Sequence, residues 1–197
     1  MIEKIKNYHV VLASSSPRRQ QLLKDMGINF DVAKREYDES YPRNLPGAEI
    51  ALYISRRKAS LFKDYVRENE IVITADTIVW CNNKVIGKPV SVEEAISMLK
   101  QISGNVHEVI TGVTILSGKK EISFSDSTKV KFEVMSDDEI RYYAENFNPM
   151  DKAGAYGIQE WIGIIGCSTI EGSYFNVVGL PVQKLYQELK KIINQDS

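Results

Sequence analysis

The chain has 197 residues, enough to bury a sizeable core in one domain or two small lobes, and its 43% hydrophobic and 26% charged content is that of an ordinary globular protein. Lys and Arg total 25 against 26 Asp and Glu, so the basic excess of a nucleic-acid binder is missing. Two cysteines, Cys81 and Cys167, in no metal-ligand or redox spacing argue against a disulfide framework, and two histidines rule out a histidine-rich metal site.

Any metal would then rest on oxygen ligands, which favours Mg²⁺ or Mn²⁺ over Zn²⁺. No run approaches the roughly 20 apolar residues of a membrane span. The start, MIEKIKNYHVVLA, carries too short an apolar run for a signal peptide. The expectation is a cytoplasmic protein with neither membrane nor nucleic acid among its partners.

In chain order, YHVVLA reads as a buried strand. Ser16 and Pro17 suit the N-cap and first position of a helix that stops at Gly27. INFDVAKREYDES reads as a second strand running into an acidic loop at Glu36, Asp38 and Glu39. A helix is predicted from about Gly47 to Val66, with Ala51, Ile54, Leu61, Phe62 and Tyr65 at helical spacing. Lys58 falls on that same inward stripe, which requires a buried stem and an ammonium that meets an anion or water.

IVITADTIVW is predicted as a strand that delivers Asp76 to an edge or cleft at the end of its apolar run. A turn at Asn82-Asn83 and a return through KVIGKP follow. Ser91 with Glu94, and Ser136 with Glu139, have the spacing of capping boxes that open two further helices. Between them, HEVITGVTIL and EISFSDSTKVKFEVM read as antiparallel strands joined around Ser117-Gly118. The stretch from Pro149 to Gly179 reads as loops with short strands, and Pro181 starts a terminal helix through Leu185 and Leu189. Interleaved strands and helices, with several strands able to pair as hairpins, predict an α/β fold with a mixed sheet.

Chemistry concentrates in a few places. With Ser16 as the cap, Arg18 and Arg19 occupy a first helical turn, where the dipole disfavours cations. Either they face solvent, or an anion comes to the free N–H groups, serine hydroxyls and guanidinium forks gathered there. No glycine-rich Walker loop and no G-x-S-x-G elbow is present. Asp76 either starts a turn or works on water or a metal. GKP presents Lys88 on a tight turn. DKAGAYGIQ combines Lys152, two glycines and Gln159, whose amide is able to read a base edge, or else it is an irregular loop. His107, Tyr142 and Tyr143 read as structural. The cations Arg18, Arg19, Lys58, Lys88 and Lys152, with the acids Glu36 and Asp76, suit a metal-bound polyphosphate if they converge.

LASSSPRRQQLL, RRKAS, ADTIV, GKP, HEVITGV, DKAGAYGIQ and GSYFNVVGLPV, in this order and spacing, resemble the Maf family, the septum-formation-inhibitor-like nucleoside triphosphate pyrophosphatases. The resemblance spans nearly the whole chain and implies a single domain over 1–197. It implies an elongated mixed β-sheet flanked by helices, with two lobes around a central cleft, similar to inosine triphosphate pyrophosphatases. It also implies hydrolysis of a nucleoside triphosphate to the monophosphate and pyrophosphate with a divalent cation, and it is compatible with a homodimer.

Carried over by position, Asp76 is the catalytic acid/base. Ser14, Arg18, Arg19, Lys58 and Lys88 are substrate-binding, and Glu36 joins Asp76 near the metal. Arg18, Thr77 and Gln159 follow the branch that takes dTTP and UTP; a second branch takes 7-methyl-GTP and differs at these places. Many members continue the glutamine with glycine, whereas this chain has Glu160 and Trp161. The rival expectation is a non-catalytic regulator of cell division that binds nucleotide and has no need of Asp76.

Overall fold

A short helix, α1 (Ile2–Ile5), leads into strand β1 (His9–Leu12), and the serines that end the apolar run start helix α2 (Pro17–Asp25). The computed structural model describes residues 2–38, 40–42, 44–118 and 120–195; Glu39 of the acidic loop lies outside them. Ser16 is extended and its side chain accepts from the Arg19 N–H, a cap worth about 1 kcal/mol. The helix ends at Asp25 with Met26 as its C-cap, and Gly27 follows with φ +72°, a conformation that glycine adopts without strain.

Next come strand β2 (Asp31–Val32), helix α3 (Gly47–Ser60), strand β3 (Glu70–Cys81), strand β4 (Lys84–Ile86) and helix α4 (Val92–Ile102). Strands β5 (Val106–Ser117) and β6 (Lys120–Phe132) precede helices α5 (Asp137–Asn146) and α6 (Trp161–Gly166). Strand β7 (Cys167–Glu171) and helices α7 (Tyr174–Val178) and α8 (Val182–Gln195) complete the chain. The strands form one sheet in the order β2-β1-β3-β5-β6-β7, with β4 added to β3. Pairings of β1 with β2 and β3 are parallel, and those of β4 with β3 and β7 with β6 are antiparallel, so the sheet is mixed as expected. Among the described residues no helix is long and apolar enough to cross a membrane.

The chain divides into two compact units, Met1–Asp76 with Thr111–Asp126 and Gly179–Ser197, and Thr77–Ile110 with Ser127–Val178. In the first unit Val11, Ala59, Phe62, Val72 and Leu116 form a buried cluster. Helix α3 lies hard against β5: a Cβ at Gly112 would be 2.4 Å from the Ala51 carbonyl carbon. Buried polar bonds fix its rotation. The Thr74 hydroxyl donates to the Ser55 carbonyl at 2.8 Å, and the Ser55 and Thr114 hydroxyls meet at 3.0 Å. Net, each such bond contributes about 1 kcal/mol, and losing one partner costs more.

Three expectations are corrected here. The helix from Gly47 stops at Ser60, six residues short of Val66, because Phe62 turns into the core and a 3₁₀ turn at Lys63–Tyr65 follows. The second strand pairs over two residues only. The segment after it is held by a side chain: Arg35 lies over the rings of Phe62 and Tyr65, at 4.7 and 4.2 Å, and donates to the Leu61 carbonyl. Asp76 sits inside β3, which continues to Cys81, not at a strand end.

In the second unit, Asn82 and Asn83 at φ 50° and 60° make the predicted β3–β4 turn. The Ser136–Glu139 capping box is complete. The other box is shifted: Ser91 caps the Glu94 N–H, but the Glu94 carboxylate accepts from Val90 N. Residues 149–178 hold more helix than predicted. The glycines of WIGIIG suggest a loop, yet Gly163 is needed for packing, since a Cβ there would lie 2.1 Å from the Ile158 carbonyl oxygen.

Candidate active site

The strand–helix junction after β1 builds a polar corner from two serines and an arginine. Ser14 Oγ accepts from Ser16 N at 3.2 Å and from Arg19 Nη1 at 3.4 Å. Arg19 Nε donates to the Gly179 carbonyl at 2.8 Å, which holds the guanidinium in one plane. Burial lowers the Arg19 pKa; the Asp76 carboxylate works against that shift and the Arg18 guanidinium adds to it. Arg18 and Arg19 are therefore close enough to repel, and among the described residues the Asp76 carboxylate is a counter-charge to Arg19.

Asp76 in turn meets Lys58. From the inward face of α3 the lysine donates to Asp76 Oδ1 at 2.7 Å and to the Ala75 carbonyl at 3.0 Å. Only 12% of the lysine side chain and 16% of the aspartate side chain are exposed. The inward lysine has the anion that its position on the stripe requires. The Tyr37 ring completes the surroundings, with its centroid 5.0 Å from the ammonium. Oδ2 of Asp76 receives no hydrogen bond from the described residues.

Glu36 is exposed on the irregular segment after β2, and among the described residues none is hydrogen-bonded or ion-paired to it. Asp38 is occupied by the Ser40 N–H at 2.9 Å and by Arg57 at 3.6 Å. Among the described residues no group of three or more His, Cys, Asp or Glu side chains gathers as a metal cage. Asp76 and Glu36 nevertheless offer carboxylate oxygens, the donor type that Mg²⁺ and Mn²⁺ take one or two at a time beside phosphate and water.

The remaining predicted positions belong to the second unit. Thr77 is half-buried on β3, directly after Asp76. Lys88 is exposed on its turn, and that turn is tied to the glycine-rich loop by a bond from Gly154 N to the Gly87 carbonyl at 2.9 Å. Gly154, at φ +72°, packs on Val79 so closely that a Cβ would lie 2.8 Å from it. Gln159 is exposed on the turn that follows.

Lys152, counted among the cations in the sequence, is already neutralised. Its buried ammonium meets Asp151 at 2.8 Å, Glu160 at 3.1 Å and the Asn148 carbonyl at 3.0 Å. His107 is structural, as expected: it is 1% exposed, bonded to the Tyr156 hydroxyl at 2.8 Å, and packed edge-on to Phe132 and Tyr156. Sequence reasoning missed Tyr37, the Gly179 carbonyl and the Glu160–Tyr143 contact, none of which has a local signal.

Comparison with known proteins agrees with the motif order. The family model described as Maf-like protein matches residues 9–192. A dTTP/UTP pyrophosphatase of Bacteroides thetaiotaomicron is 49% identical over 98% of this chain and 100% of its own length. One of Parabacteroides distasonis is 52% identical over 96% of this chain and 99% of its own. Among solved structures, the Ham1 protein of Staphylococcus aureus aligns with 63% of this chain and 71% of its own at 14% identity, with a TM-score of 0.40.

Proposed function

The chain belongs to the Maf family, and on that premise we propose that it hydrolyses dTTP and UTP to the monophosphate and pyrophosphate. The observation that carries the reading is the Lys58–Asp76 pair: a shielded carboxylate held through one oxygen, beside the Arg19 guanidinium. In this reading water adds at the α–β phosphoanhydride, its proton passes to Asp76, and the bond to the leaving pyrophosphate breaks. Lys58 fixes the carboxylate through Oδ1, so that Oδ2 faces water or an ion. Ser14, Arg18, Arg19 and Lys88 take the triphosphate oxygens, to which guanidinium forks and ammonium groups are suited. Thr77 and Gln159 read the substrate, the Gln amide through one donor and one acceptor on a pyrimidine edge.

Asp76 and Glu36 would hold the divalent ion. Such an ion supplies Lewis-acid stabilisation of phosphate charge. The same reading puts the protein in the cytoplasm, where free nucleotides are, with residues 1–197 acting as one domain and two copies forming a homodimer. Sedimentation of the purified protein tests the dimer.

The decisive assay is pyrophosphate release from a panel of nucleoside triphosphates with Mg²⁺ or Mn²⁺ and with chelator. Release from dTTP and UTP that stops with chelator is the expected result. Release chiefly from 7-methyl-GTP would overturn the roles given to Arg18, Thr77 and Gln159. A folded sample that binds nucleotide without turnover would replace the enzyme with a regulator.

A further inference from the structure

Gln159 stands on a turn that one carboxylate closes. Glu160 N donates to the Gly157 carbonyl at 3.0 Å, and the Glu160 side chain folds back over the same glycine. Its Oε2 accepts from the Tyr143 hydroxyl, and its Oε1 lies 3.1 Å from the Lys152 ammonium. The Tyr143 oxygen accepts from Gly157 N at 3.0 Å, so the turn's first N–H, the phenol, the carboxylate and the buried ammonium form one chain of polar contacts. A Cβ at Gly157 would be 2.7 Å from the Glu160 carboxyl carbon, so the glycine is what lets the carboxylate in.

The anchors of this chain are rigid. Tyr143 is fully buried and stacks on Phe147 at 5.2 Å. Burial, and then the bond to Glu160, raise its pKa, so the phenol stays a donor at neutral pH. On the other side of Gln159, the Glu160 carbonyl accepts from Gly163 N at 2.9 Å and from Ile164 N at 3.2 Å, which joins the turn to α6. Trp161 then packs edge-on against Tyr142 at 5.0 Å. Ile158 before Gln159 is buried and Glu160 after it is bonded through both oxygens, which leaves Gln159 as the exposed residue of a fixed turn.

We propose that Glu160 and Tyr143 are positioning residues that hold Gln159 in the orientation that sets pyrimidine binding. This rests on the reading of Gln159 as a substrate contact. Such a residue acts on substrate binding through Gln159 and leaves the chemical step alone.

The test is a cycle of KM and kcat for UTP on the full chain: wild type, Gln159→Ala, Glu160→Gln, Tyr143→Phe, and Gln159→Ala with Glu160→Gln. Glu160→Gln and Tyr143→Phe are each expected to raise KM about tenfold, the scale of a lost charge-assisted hydrogen bond, with kcat within about twofold. The double variant is expected to match Gln159→Ala alone. A merely structural role would lower the folded, active fraction and so kcat, leaving KM in place. Wild-type KM in Glu160→Gln, or effects that multiply in the double variant, would overturn the proposal. A Gln159→Ala variant with unchanged KM would instead sink the substrate-contact reading, and the positioning role with it. Should Glu160→Gln not fold, Tyr143→Phe decides, because it removes one hydroxyl and keeps the Glu160–Lys152 pair.

Discussion

Each unit sets a lysine ammonium against a carboxylate in a mostly shielded setting, yet the two pairs differ in what they leave open. Lys58 and Asp76 meet at 2.7 Å through Oδ1, and no described residue bonds Oδ2. Lys152 and Glu160 meet at 3.1 Å, with the second oxygen of Glu160 taken by Tyr143 and the ammonium shared with Asp151 and Asn148. Regular elements carry the first pair, a strand and a helix locked by the Ser55–Thr74–Thr114 bonds; a turn carries the second. Proximity of lysine and carboxylate is common to both. The spare valence of the carboxylate separates a pair able to do chemistry from one that holds a shape.

The largest expected effect breaks the first pair's chemistry and spares its geometry. Asp76→Asn keeps an oxygen for Lys58 but gives no base, so kcat is expected to fall about 10²–10⁴-fold with the melting curve nearly unchanged. A variant with wild-type turnover would remove Asp76 from the mechanism. Next in size, Lys152→Met strips the second carboxylate of its cation in a buried setting. The expected loss is about 3 kcal/mol in urea unfolding, and pairing it with Glu160→Leu should restore much of that. A loss near zero would mean that water replaces the ammonium and that the second pair is no clamp.

The first pair was half legible in the sequence and the second was not. Ser16, Pro17 and Gly27 mark α2 because capping is local chemistry. Lys58 betrays its partner because a lysine on an apolar stripe needs one. That partner's place inside β3 was hidden, since the polar Asp76-Thr77 step interrupts the strand's apolar run. Arg19 finds the Gly179 carbonyl at the far end of the chain, and Tyr37 reaches Lys58 from an irregular segment; neither contact has a periodicity to announce it. Glycines misled most in WIGIIG, where Gly163 and Gly166 serve close packing against Ile158 and Met135, not flexibility.

The two histidines carry the comparison into pH. Burial lowers the His107 pKa to about 4, so the folded second unit refuses a proton that the unfolded chain accepts below about 6.5. Stability from this group is complete above that value and declines as pH falls toward 4, by about 3 kcal/mol in all. Urea midpoints from neutral to acid pH should therefore fall more steeply for wild type than for His107→Phe. Parallel curves would show that the His107 site admits the charge.

His9 in the first unit runs the other way and is the smallest effect. Its Nε2 lies 2.7 Å from Asp31 and its Nδ1 3.0 Å from Glu70, so both ring nitrogens face carboxylates and both call for a proton. The Asp31 hydrogen bond raises its pKa, partial burial opposes, and Glu70 adds to the rise. A raised folded value means stability that is full below the unfolded pKa and lost as pH climbs through the folded one. The imidazolium ties β2, β1 and β3 side by side, but the ring is 57% exposed, so solvent screening keeps the gain below about 1 kcal/mol. The stability gap between wild type and His9→Gln should be widest in mild acid, close at alkaline pH and shrink in high salt. A gap that widens with pH would mean that the ring binds its carboxylates as neutral imidazole, and the two units would then share one pH slope.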